Sequence, residues 1–149
     1  MYSIIAEIAK RCHQAAEKRG KDTSAAGCIA CLGRELAEYW AAVDENRVTT
    51  HEAITRAEQT EDDADFCVVY EKELHNTVTD ELADVLITAA TWNETANQGE
   101  DFKPERSIDV LLASGAVSFI CNQITGPSDV DTLRRIVNLK MHYNELRKD

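Results

Sequence analysis

The chain has 149 residues, 44% of them hydrophobic, which suits one domain over residues 1–149 with a sizeable core. Asp and Glu outnumber Lys and Arg by 27 to 16, a formal net charge of -11, so the bulk field repels nucleic acid and anionic membranes, and an anionic ligand needs a cation to mediate contact. The five cysteines (Cys12, Cys28, Cys31, Cys67, Cys121) are odd in number, the start lacks a basic region followed by a long apolar run, and no stretch is long enough to span a bilayer. The expectation is a cytoplasmic chain without disulfide staples, in which Cys28-Ile-Ala-Cys31 reads as helix interior rather than zinc or redox chemistry.

Six glycines, two prolines and apolar residues at helical spacing predict an all-α domain with five main helices. The first runs from about Ser3 to Lys18, with Ile4, Ile5, Ile8, Cys12 and Ala15 on one stripe, and stops at Gly20. Asp22-Thr23-Ser24 offers caps for a second helix reaching about Asp44, whose apolar side centres on Ile29, Leu32, Leu36, Trp40 and Val43. Thr49 and Glu52 can form a capping box for a short helix from about Thr50 to Gln59. The acidic run Glu61 to Asp65 reads as a solvated loop or first turn. A helix then resumes near Phe66 and reaches Asn97, either unbroken or kinked near Asn76-Thr77. Pro104 suits the first turn of the next helix, with Ile108, Leu111, Leu112, Gly115, Phe119 and Ile120 as its buried stripe; Gly126-Pro127 breaks it. Ser128 or Asp129 caps a last helix to about Arg147.

Two acid pairs carry the chemistry. Glu35-Leu-Ala-Glu38 and Glu81-Leu-Ala-Asp84 each set two carboxylates one helical turn apart, where like charges repel by roughly 0.2–0.5 kcal/mol. If the two helices pack face to face, four carboxylates converge, as a hard divalent ion such as Mg²⁺ requires. The stretch from Thr77 to Asn97 is apolar nearly all round, so it should be the central buried element, with Glu81, Asp84, Thr88 and Thr91 as its narrow polar stripe and Trp92 beside it. Neither acid-bearing segment supplies a basic residue on the same stripe. Lys140, Asn144 and Arg147 share one face of the last helix and would bring cations to those anions. Tyr39, Trp40 and Trp92 lie near the motifs, in the core or stacked on a base.

The order ExxE then ExxD, together with the late segment Lys140-Met-His-Tyr143-Asn144-Glu-Leu-Arg147, resembles the all-α nucleoside triphosphate pyrophosphohydrolases, the MazG-like group related to dimeric dUTPases. The resemblance implies a four- to five-helix bundle that hydrolyses a nucleoside triphosphate or deoxynucleoside triphosphate to the monophosphate and pyrophosphate. It implies Glu35, Glu38, Glu81 and Asp84 as ligands of Mg²⁺, with Mn²⁺ as substitute, and Glu35 or Glu38 as the group that orients the attacking water. Lys140 and Arg147 become phosphate contacts and Asn144 a sugar or phosphate partner; Trp92, from its place beside the acid motifs, is a candidate base contact. Helices this apolar also suggest a homodimer or homotetramer. A carboxylate-bridged di-iron bundle needs Glu-x-x-His pairs, and His13, His51, His75 and His142 each lack the glutamate. The remaining alternative is a non-catalytic acidic helical interaction module.

Overall fold

The computed structural model describes residues 2–97 and 127–147, and over them all regular structure is helical. The helices are α1 (Tyr2–Lys18), α2 (Ala25–Asp44), α3 (His51–Gln59), α4 (Asp63–Glu73), α5 (Val78–Asn97) and α6 (Pro127–Leu146). No described helix is long and apolar enough to cross a membrane. The helix expected from Pro104, its apolar stripe and Cys121 lie outside the described residues. The last helix begins at Pro127, so Ser128 and Asp129 fall in its first turn rather than before it.

Local chemistry explains the ends. Gly20 has a φ of 68°, and Gly20 and Lys21 donate their N–H groups to the carbonyls of Glu17 (2.9 Å) and Ala16 (3.0 Å), closing α1 with a left-handed glycine cap. Ser24 starts α2 by accepting from Gly27 N–H at 3.1 Å, while Asp22 accepts from Ser24 N–H at 3.0 Å. Thr50, not Thr49, caps α3, accepting from Ala53 N–H at 3.1 Å. That shift of one residue removes the expected pairing with Glu52. Asp62 caps α4 by accepting from Ala64 and Asp65, and Asp63 and Asp65 sit in the first turn, where the helix dipole favours negative charge.

The segment from Phe66 to Asn97 is two helices separated by a turn, which corrects the expectation of one continuous or kinked helix. Tyr70 carbonyl accepts from both Leu74 and His75 N–H at 2.9 Å, Asn76 turns left-handed at φ 61°, and Thr77 Oγ1 donates to Leu74 carbonyl at 2.7 Å. Asp80 then reaches back to accept from Asn76 N–H at 2.9 Å. A side chain on α5 therefore holds the break that ends α4.

α5 is the central element, packed against α1, α2 and α6. It buries Ala83, Val85, Leu86, Ala89, Ala90 and Trp92 against Ile4, Ile5, Ile8 and Cys12 of α1 and Leu133, Ile136 and Val137 of α6. α3 and α4 pack on α6, where Tyr70 stacks on Tyr143 with ring centres 4.5 Å apart. α2 is rotated from the expected phase. It buries Cys28, Leu32 and Ala42, whereas Ile29, Trp40 and Val43 are 47%, 46% and 36% exposed. Small Cys28 and Ala42 share the inward face with Leu32, while Ile29, Trp40 and Val43 point outward.

Candidate metal centre

The packing of α2 on α5 decides where the acids meet. With Leu32, Leu36 and Tyr39 turned to the core, Glu35 and Glu38 fall on the flank of α2 that faces Glu81 and Asp84. All four carboxylates line one cavity of about 240 Å³, together with the cations of Arg34, Lys140 and Arg147. His75 and Asn76, from the turn before α5, complete the wall. One ligand oxygen each from Glu35, Glu38 and Glu81 lies within 4.8 Å of the others.

The acids differ in environment. Glu38 is exposed at the mouth, Glu35 is partly buried, and Glu81 is only 4% exposed. Burial, then the nearby charges of Asp80, Glu38 and Glu35, raise the Glu81 pKa despite Lys140. The Glu81 carboxylate opens onto the cavity, where the charge of Lys140 offsets part of the cost of its burial.

Asp84 is differently engaged. Its Oδ2 lies 2.7 Å from Lys140 Nζ, outside the trio of Glu35, Glu38 and Glu81. Burial pushes the Asp84 pKa up to about 7 even so. Lys140, 2% exposed, also stands 3.0 Å from both oxygens of Asp80. Burial lowers the Lys140 pKa, but Asp84 and Asp80 outweigh this and raise it, so the ammonium stays charged. The lysine expected to meet phosphate is thus held between two carboxylates. α6 supplies this cation, and α2 supplies another against expectation, with Arg34 Nη2 3.4 Å from Glu35 Oε1.

Asp80 is the residue that sequence reasoning missed. It is fully buried, accepts from the Tyr70 hydroxyl, from Asn76 N–H and from Lys140, and has His75 Nδ1 at 3.4 Å. Burial pushes its pKa up, but His75, Lys140 and Tyr70 together hold it below the ordinary carboxylate range. The available signal was the spacing of Asp80 and Asp84 at i and i+4, a like-charge pair that asks for a shared cation.

Beside the acidic cavity runs a groove of about 870 Å³, joined to it through Arg34, Glu35 and Arg147. Asn144 lines this groove with a buried Oδ1 that has no hydrogen-bond partner. Arg147 lies over the Tyr143 ring, 5.7 Å from its centre. Trp92, by contrast, is 5% exposed in the core and on the wall of neither cavity. Tyr39 packs against the core and its ring meets Trp40 edge-on. Comparison of the chain with protein-family models, with curated proteins and with solved structures finds no match in any of the three.

Proposed function

We propose that this chain is a Mg²⁺-dependent nucleoside triphosphate pyrophosphohydrolase of the MazG-like kind, converting a nucleoside triphosphate to the monophosphate and pyrophosphate. The observation that carries the reading is the convergence of Glu35, Glu38 and the largely buried Glu81, one carboxylate oxygen of each lying within 4.8 Å of the others. Such a group is stabilised by a divalent cation. The donor set fits Mg²⁺, which prefers hard oxygens, and an octahedral ion with bonds near 2.1 Å spans about 4.2 Å between opposite ligands. Small side-chain rotations close the trio to that size. Mn²⁺ accepts the same donors.

A bound Mg²⁺ supplies neutralisation of phosphate oxygens and a lower pKa for the attacking water. The chain's own residues do the rest. Glu35 and Glu81 would hold the ion. Glu38, at the exposed mouth, orients the water and takes its proton as the water oxygen bonds to the α-phosphorus. The α–β P–O bond breaks, and its electrons leave with pyrophosphate toward Arg34 and Arg147. Lys140 keeps Asp84 compensated behind the trio. The adjoining groove, with the Asn144 acceptor, is large enough for the sugar and base.

The test is pyrophosphate release from a panel of standard and modified nucleoside triphosphates with Mg²⁺ present. Glu81→Gln is expected to lower the rate by at least about 100-fold, the upper range for weakening a metal site, with the helical circular dichroism unchanged. Undiminished turnover in E81Q removes the assignment.

The same reading includes association of identical chains. Ala83, Val85, Leu86, Ala89 and Ala90 of α5 are covered within the chain. Exposed Ile29, Trp40 and Val43 support the outward face of α2 as the self-association surface in this reading.

A further inference from the structure

The groove beside the acidic cavity reverses the charge balance of the chain. The whole sequence has 27 acids to 16 bases, yet among the described residues the groove wall has six bases to three acids. Lys18 ends α1, and Arg19 and Lys21 follow it, where cations commonly complement a helix dipole. That local cause does not reach Arg11 and Arg34, which stand within α1 and α2 and line the same groove. The three acids are engaged nearby: Glu145 lies 3.7 Å from Arg11, Glu35 lies 3.4 Å from Arg34, and Asp22 accepts from Ser24 N–H at 3.0 Å. We propose that the groove takes a second phosphate, carried on the sugar of a nucleoside triphosphate, with Lys18, Arg19 and Lys21 as its contacts.

The groove has two ends. Glu35, Arg34 and Arg147 join it to the acidic cavity, while Gly27 and Asp22 line it at the start of α2. Gly27 and Glu35 are eight positions apart on one helix, about 12 Å at 1.5 Å per residue. Asp22 packs on Gly27, with its Cγ 2.4 Å from where a Cβ would stand, so Lys18, Arg19 and Lys21, which immediately precede it, belong to the end away from the carboxylate trio. Asn144 also lines the groove, and its buried Oδ1 calls for a hydroxyl or amino donor such as a nucleoside carries. Sugar and base are uncharged and offer the far cations nothing to meet, whereas a phosphate on the sugar does. The volume of 870 Å³ leaves room for it, near the top of the roughly 300–1,000 Å³ range of pockets for drug-sized ligands. The direction of the ligand rests on the proposed function, and the chemistry stays that of the proposed hydrolysis: water oxygen joins the α-phosphorus, pyrophosphate leaves, and the second phosphate is kept.

The second-phosphate position is measured apart from turnover. Without metal, calorimetry compares the 3′,5′-bisphosphate and the 5′-monophosphate of each standard ribonucleoside on the full chain. The expected result is that the bisphosphate of at least one base binds roughly tenfold tighter, the size that three exposed charge contacts reach together, although the net charge of -11 opposes it. The double variant K18A/K21A should bring the ratio to about one. If that variant loses helical circular dichroism, a salt series on the native chain decides, because a preference made by exposed charges shrinks as salt screens them. Equal binding for every base, a preference that survives in folded K18A/K21A, or one indifferent to salt overturns the proposal. Pyrophosphate release with Mg²⁺ is then compared for a nucleoside triphosphate, its 3′-phosphate derivative and a 5′-triphosphorylated dinucleotide. A higher kcat/KM for both phosphate-bearing forms assigns the end of an oligonucleotide, and one confined to the 3′-phosphate assigns a mononucleotide. Equal kcat/KM for all three keeps the proposed function and sinks the second phosphate. A bisphosphate preference lost in K18A/K21A, with no pyrophosphate released from any of them, upholds the phosphate position and sinks the pyrophosphohydrolase reading instead.

Discussion

Lys140 illustrates how a single buried ammonium organises a site that is otherwise an excess of carboxylates. Its partner Asp80 is 0% exposed and cannot recover hydration if the cation is removed, while Asp84, at 21%, recovers only part. Breaking a buried ion pair from one side typically costs about 3–5 kcal/mol, and Lys140→Met is expected to lower the unfolding free energy by that amount in urea titrations. A loss under about 1 kcal/mol, the range of exposed pairs, would show that Lys140 does not carry the network. The raised pKa values of Glu81 and Asp84 give a second expectation. In the folded chain these groups hold protons that the unfolded chain has released, so their contribution is fully present below the ordinary carboxylate range and is lost as pH rises through about 7 for Asp84. Asp80 has the opposite sign, contributing above the ordinary range and losing it as pH falls through its lowered pKa. Metal-free stability should therefore decline between about pH 5 and 8, less steeply in D84N and with Mg²⁺ added. An equal slope in D84N would refute the assignment. Glu35, Glu38, Glu81 and Asp84 were legible because one helical turn is a local rule. Asp80 was not, since its partners Tyr70 and Lys140 lie 10 and 60 positions away and only the packed helices bring them together.

Helix termini follow the same division between local and tertiary causes. α1 and α2 were readable almost to the residue, because Gly20 and Ser24 act on backbone groups within one turn of themselves. The α4–α5 break was harder to read, since Asp80 stabilises it with a carboxylate that is itself fixed by α6. The phase of α2 departs from its apolar pattern for a related reason. Large side chains draw the apolar centre toward Ile29, Trp40 and Val43, but close contact with α5 rewards the small Cys28 and Ala42. Gly27 tests this view of the α2 entry. A Cβ placed on it would lie 2.4 Å from Asp22 Cγ and 2.5 Å from the Asp22 carbonyl, inside the turn that lines the groove. Gly27→Ala would gain helix propensity, but the backbone clash should win, costing about 1–3 kcal/mol. Chemical denaturation of G27A reads the sign directly, and a stabilised variant would mean that the Asp22 turn gives way freely.

At the scale of the molecule, the charge of -11 and the outward face of α2 pull in opposite directions. Ile29, Trp40 and Val43 run along a length of α2 that amounts to about 21 Å at 1.5 Å per residue. Gly33 lies between them, and a Cβ placed on it would meet nothing within 4 Å, so a second backbone can come close. Two copies of α2 crossing about a twofold axis would cover this stripe on both chains at once. Each chain brings the same net negative charge, so such a pair would be held by apolar contact against a repulsion that salt screens. Association should therefore strengthen as ionic strength rises, the reverse of an interface built on ion pairs. Trp40→Glu places a charge within the stripe at a residue outside the carboxylate trio, and it should give a monomer that keeps its helical content. Light scattering across a salt series distinguishes the cases. A native chain that is monomeric at every salt concentration, or a W40E chain that remains associated, would remove α2 as the joining surface, and with it the reason for Trp40 to stand outside the core.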